Sequence, residues 1–180
     1  WIGAEGYQST RAGYPREKTK ILTLPTTLSV DVVSEGIDLF LTESECENLR
    51  SNKIRVRDTS NTNIDVYKAP HVLVTKGFKR IAFANFDVSF RRAVGIHGPE
   101  KDRKLLMFLA AYLRTPLARY FAFHTSHNWS MFHEEVQVNE LMRLPFPLPE
   151  QTSDPKRSLA IVDNVAAIID QATRQAESNF

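Results

Sequence analysis

HVLVTKGFKRIAFANFDVSFRRAVGI, residues 71–96, decides the fold of this chain. It divides into short β-rich runs, His71 to Thr75, Arg80 to Phe83 and Phe86 to Phe90, with Lys76-Gly77 and Asn85 at their junctions. In the third run Phe86, Val88 and Phe90 alternate with Asp87 and Ser89, which predicts one buried and one wet face. Ala93 to Ile96 is a fourth run, closed by His97-Gly98-Pro99. Runs this short, bounded by turn residues, are strands of a meandering sheet.

Toward the N-terminus the same texture continues. Lys20 to Leu24 and Leu28 to Val33 are β-rich around Pro25, and Ile54 to Val56 and Ile64 to Tyr67 flank the polar turn 58–63. Between them, Thr42 followed three residues later by Glu45 is a capping box and predicts a short helix over Leu41 to Ser51. Toward the C-terminus the period changes. From Asp102 onward Leu105, Leu106, Phe108, Leu109, Tyr112 and Leu113 share one helical face. Pro116 fits the first position of a new helix capped by Thr115. A short turn near Asn139, its expected N-cap, leads into Leu144-Pro145-Phe146-Pro147-Leu148-Pro149, which the alternating prolines hold extended. A last helix starts at Asp154-Pro155, with Leu159, Val162, Val165, Ile169 and Ala172 on one side. Strands first and helices afterwards predict an α+β fold, an N-terminal twisted and mostly antiparallel sheet followed by C-terminal helices. Residues 1–150 form the main domain, and the helix in 151–180 packs on it or on a neighbouring domain.

Composition narrows the function classes. With 42% hydrophobic and 24% charged residues among 180, the chain is not disordered. No apolar run approaches the roughly 20 residues of a membrane span, and no leader-like segment opens the sequence. The single cysteine, Cys46, excludes an internal disulfide and points to a cytoplasmic protein. With Trp1 at its start and a polar tail over 176–180, the chain reads as a segment of a longer protein. Net charge is only +2, but it is unevenly spread. Residues 28–49 hold six carboxylates and no Lys or Arg, whereas residues 68–104 hold nine cations against three carboxylates. Such a field can present one positive face to a polyanion.

Four stretches carry a family resemblance. Lys68-Ala69-Pro70-His71-Val72-Leu73-Val74-Thr75-Lys76-Gly77 looks like a strand entry, and Phe90-Arg91-Arg92-Ala93-Val94-Gly95-Ile96 like the strand that follows. Leu109 to Tyr120 looks like a helix junction, and Val138 to Pro149 like a proline-rich exit. In this order they resemble the target recognition (specificity) region of N6-adenine DNA methyltransferases, especially type IIG fused enzymes, and of type I restriction specificity subunits. The usual Asn-Ser of the junction is Arg114-Thr115 here; Thr115 keeps the capping role while the Asn amide is lost. The resemblance implies a DNA-binding module of a restriction-modification protein whose parent is an adenine-specific DNA methyltransferase using S-adenosyl-L-methionine. This chain carries neither the Gly-rich cofactor loop nor the Asn/Asp-Pro-Pro-aromatic tetrapeptide; its only Asp-Pro, Asp154-Pro155, is followed by Lys156. The expectation is therefore no catalytic residue and no cofactor in the chain itself. Its partners would be double-stranded DNA and an upstream methyltransferase domain or subunit, with no membrane involved. Two rivals stand beside it: half of a type I specificity subunit, and a protein-interaction domain that binds no DNA.

A recognition domain grips phosphates with cations and reads base edges with Arg, Lys, Asn or Gln. The loop Lys76-Gly77-Phe78-Lys79-Arg80 has three cations, a flexible glycine and an aromatic. Arg91 and Arg92 add two more, and strand alternation predicts that they face opposite sides. Asn85 is a further candidate at a strand junction. In the polar stretch 124–130, His127 joins Asn128 as a polar contact and Trp129 as a stacking or wedge residue; packing Trp129 into the core is the alternative. His124, His127 and His133 lack the spacing and soft partners of a zinc site, so no metal is expected. Asp38, Glu43 and Glu45 surround a capping box, so a solvated helix start explains them better than a Mg²⁺ site.

Overall fold

The computed structural model describes residues 1–10, 13–31, 39–58, 63–127 and 135–178. The fold is α+β, with antiparallel sheets in the N-terminal part and helices at the C-terminus. The central sheet has the order β1 (Ile2–Glu5), β9 (Val94–His97), β6 (His71–Val74), β7 (Ile81–Ala84), all antiparallel. Alternation along these strands splits the core. Val72, Val74, Ile81, Phe83, Val94 and Ile96 face the helices, whereas Leu73, Ala82 and Ala84 face a second apolar layer built on Val56, Val66, Tyr67 and Phe90. β6 and β7 are buried on both faces, which explains why their sequences are nearly unbroken apolar runs.

Two smaller sheets complete the β part. β2 (Thr19–Thr23) pairs antiparallel with β5 (Lys53–Arg57) as a two-stranded ribbon. β3 (Leu28–Asp31) lies between β4 (Glu47–Asn48), antiparallel, and β8 (Ser89–Arg91), parallel. Close approach between the layers demands a glycine at position 95. A Cβ there would clash with the edge of the Phe90 ring at Cζ and lie 3.1 Å from Val66 Cβ.

α1 (Arg103–Leu113) covers the central sheet with Leu106, Met107, Ala110 and Leu113, the i, i+4, i+7 spacing of an amphipathic helix. α2 (Pro116–Thr125) begins as expected: Thr115 Oγ1 accepts from the Ala118 N–H at 3.3 Å, with Pro116 in the first turn. α3 (Val138–Leu141) is one turn. The extended run after it crosses α1, with the Phe146 ring against Trp1, Phe108 and Tyr112 and the Tyr112 hydroxyl donating to the Pro145 carbonyl at 2.6 Å. α4 (Pro155–Ser178) packs on α1, tied by Arg103–Asp170 at 3.3 Å and Lys104–Asp163 at 2.6 Å.

Several local expectations are corrected. The capping box at Thr42 and Glu45 forms, but it caps a single 3-10 turn, Glu43–Glu45. Pairing of Glu47 and Asn48 with Ser29 and Leu28 then takes the backbone that a helix over 41–51 would need. Residues Ile64–Tyr67 are a 3-10 turn rather than a strand, because the Asn63 side chain accepts from the Asp65 N–H and closes the backbone locally. Ser89, expected on a wet face, is fully buried because β8 pairs with β3 in the interior. Gln137, not Asn139, caps α3, in a capping box with Glu140. On α4 the buried residues are Val162, Ala166 and Ile169, while Leu159 is 53% exposed.

Candidate functional site

The β6–β7 connection is a closed loop. The Thr75 N–H donates to the Arg80 carbonyl at 2.9 Å, and the Arg80 N–H donates to Thr75 Oγ1 at 3.0 Å. The left-handed residue within it is Phe78, at φ 54°, and not the glycine the sequence offered. Burial explains this choice. The Phe78 ring joins the helix-side core and is 5% exposed, so its packing offsets the roughly 1–2 kcal/mol of a left-handed L-residue. With the aromatic turned inward, Lys76, Lys79 and Arg80 are left around the loop's outer side.

These three cations line a cleft of about 750 Å³ together with Arg91, Arg92 and Arg57. Strand alternation predicts that Arg91 and Arg92 diverge. Arg92 instead adopts φ 59°, which breaks the alternation where β8 ends, and both residues line the same cleft. Among the described residues, six cationic residues and two carboxylates, Glu5 and Glu135, thus line the cleft. Glu5 holds Lys76 at 2.9 Å, and Asp31 holds Arg91 at 3.7 Å. Neutral donors and acceptors, Gln8 and Ser9 among them, line the wall, with Tyr7 as an aromatic. The two left-handed non-glycine residues of the described chain, Phe78 and Arg92, lie in the loops that build this wall, and backbone strain of this kind clusters at working sites.

Arg57 was not among the expected residues. It ends β5, lies over the Tyr14 ring at 5.3 Å and brings the ribbon up to the cleft. The alternation of Lys53, Arg55 and Arg57 in KIRVR was its available signal; its meeting with Lys79 and Arg92 is tertiary.

The remaining candidates lie apart. Asn85 is exposed, but it follows β7 where Arg80 precedes it, so the strand's length, roughly 15 Å, separates the two. It borders a different hollow, beside Phe40, Phe86 and Asp170. His127 is exposed and serves α3: its N–H and ring contact Glu140 at 3.0 and 3.2 Å. Burial pushes the Glu140 carboxyl up, but the N–H groups of Gln137 and His127 and the Ser126 hydroxyl outweigh it and hold it down at about 2. Asn128 and Trp129 lie outside the described residues, as does His133. Cys46 is a half-buried thiol, pushed up to about 12 by burial and by Glu45 and Glu43, so it is no ready nucleophile. No helix among the described residues is long and apolar enough to cross a membrane. No family model, curated protein or solved structure matches the chain.

Proposed function

We propose that this chain is a duplex-DNA recognition module of an adenine-specific restriction-modification methyltransferase, with methyl transfer carried out on another part of the parent protein. The observation that carries the DNA reading is the convergence of Arg57, Lys76, Lys79, Arg80, Arg91 and Arg92 on one cleft from three separate parts of the chain. Cations brought together by folding repel one another, and a polyanion is the partner that relieves that cost. Neutral polar residues lie among the cations, as a surface that follows a phosphate backbone requires. The methyltransferase parentage and its S-adenosyl-L-methionine rest on the resemblance of the four sequence stretches alone.

The test is a mobility-shift titration with a mixed-sequence duplex. Reversing Lys76, Lys79 and Arg80 to Glu removes the phosphate contacts of Lys79 and Arg80, Lys76 being held by Glu5, and weakens binding at least about 60-fold at 0.1 M salt. Circular dichroism checks that the variant is folded. A wild-type chain without salt-dependent duplex binding refutes the proposal and leaves the protein-interaction reading.

A further inference from the structure

The β2–β5 ribbon has an unusual outer face. Its register places Thr19 opposite Arg57, Ile21 opposite Arg55 and Thr23 opposite Lys53, so these six share one side. The inner side buries Val56 and half-buries Leu22 and Ile54 against the second core layer. On the outer side Ile21 is 54% exposed, and Thr23, Lys53 and Arg55 are exposed. Opposite charges set across the strands would stabilise a face that only meets water. Here each of the three cations is opposite a neutral residue, none of the six paired residues is a carboxylate, and a large apolar side chain stands among them. Arg55 Nη1 donates to Thr19 Oγ1 at 2.8 Å, which orients the guanidinium along the ribbon surface.

The ribbon is also continuous with the cleft. Arg57 belongs to both, and an isolated bridge between Ser9 and Val56 ties the ribbon to the segment that lines the cleft wall. Backbone bonds beyond the strand ends, Leu24 N–H to the Asn52 carbonyl and Asp58 N–H to the Lys18 carbonyl, lengthen the ribbon to about 20 Å. A two-stranded antiparallel ribbon is one of the two elements that a major groove about 12 Å wide admits.

We propose that the outer face of this ribbon enters the major groove and supplies the base-reading contacts, while the cleft cations hold the flanking phosphates. Arg55 and Lys53 are the guanine readers, through the O6 and N7 acceptors, and Ile21 meets a thymine methyl. The proposal rests on the DNA-recognition reading, and the experiment separates the two. The chain is incubated with a library of randomised duplexes, and the bound fraction is sequenced for wild type, Arg55→Ala, Ile21→Ala and the Lys79→Ala, Arg80→Ala double variant. Wild type enriches a motif. Arg55→Ala relaxes it at a guanine position by roughly ten- to a hundredfold, and Ile21→Ala weakens the preference at a thymine position. The double variant binds every sequence more weakly and keeps the motif. Arg55 and Ile21 are exposed, so their truncation leaves the fold intact, which thermal melting verifies. An unchanged motif in both ribbon variants, or wild-type binding with no motif, overturns the ribbon assignment and leaves the cleft reading standing. Absence of any duplex binding by wild type overturns both.

Discussion

Neutralising a carboxylate in the cleft should strengthen DNA binding. Glu5 is at the end of β1, holds Lys76 at 2.9 Å and is one of the two carboxylates among the described residues that line the cleft. Glu5→Gln frees Lys76 for a phosphate and removes a charge that repels one. Each added phosphate contact steepens the slope of log affinity against log salt by about 0.9, which means about eightfold tighter binding at 0.1 M salt, about fifteenfold at 0.05 M and no difference near 1 M. The cost to the fold is small: both side chains of the pair are about a third exposed, and such bridges are worth about 0–1 kcal/mol. Fluorescence anisotropy with a labelled duplex, titrated at several salt concentrations, reads both affinity and slope. Asp163→Asn is the control, since it removes a carboxylate paired with Lys104 on the α1–α4 surface. If Glu5→Gln binds no better than wild type, or no better than Asp163→Asn, the duplex does not occupy this cleft.

Other outcomes follow from the core. His71 is fully buried, with Nδ1 against the Val66 carbonyl at 2.7 Å, and desolvation pushes its imidazole down from 6.5 to about 4. The folded state therefore favours the neutral ring while the unfolded chain takes up a proton. Stability is full above pH 6.5 and declines on the order of 3 kcal/mol by pH 4; urea unfolding across that window measures it, and a flat profile contradicts the assignment. Glu140, depressed from 4.5 to about 2, adds a second loss at lower pH, because its stabilisation is present above pH 4.5 and disappears as pH falls through 2. Gly95→Ala drives a methyl into Phe90 and costs about 1–3 kcal/mol in the same assay; an unaltered midpoint would show that the layers can separate freely.

The strands of the central sheet were legible because β6 and β7 are short apolar runs with turn residues between them, and α1, α2 and α4 because their apolar period and the Thr115-Pro116 junction are local signals. β1 has no such local signal: Ile2–Glu5 becomes a strand only by pairing with β9, 89 to 95 residues away. The segment 41–51 shows a capping box captured by tertiary pairing, where a correct local feature gave a wrong element. For the site, Lys76, Lys79, Arg80, Arg91 and Arg92 could be nominated from charge and position. Their convergence could not, because it depends on positive φ at Phe78, which buries the ring, and at Arg92, which reverses the expected side. Arg57 was hidden for the same reason, since a basic strand in isolation is a solvated strand.

The salt dependence of wild-type binding to a mixed-sequence duplex tests the central claim most directly. Six cleft cations on phosphates give a slope of log affinity against log salt of about −5.4, and each one kept by a carboxylate, as Glu5 keeps Lys76 and Asp31 keeps Arg91, makes it shallower by about 0.9. A slope of about −2 or steeper supports a DNA-binding cleft. A slope near zero, or no binding at 0.05 M salt, contradicts it.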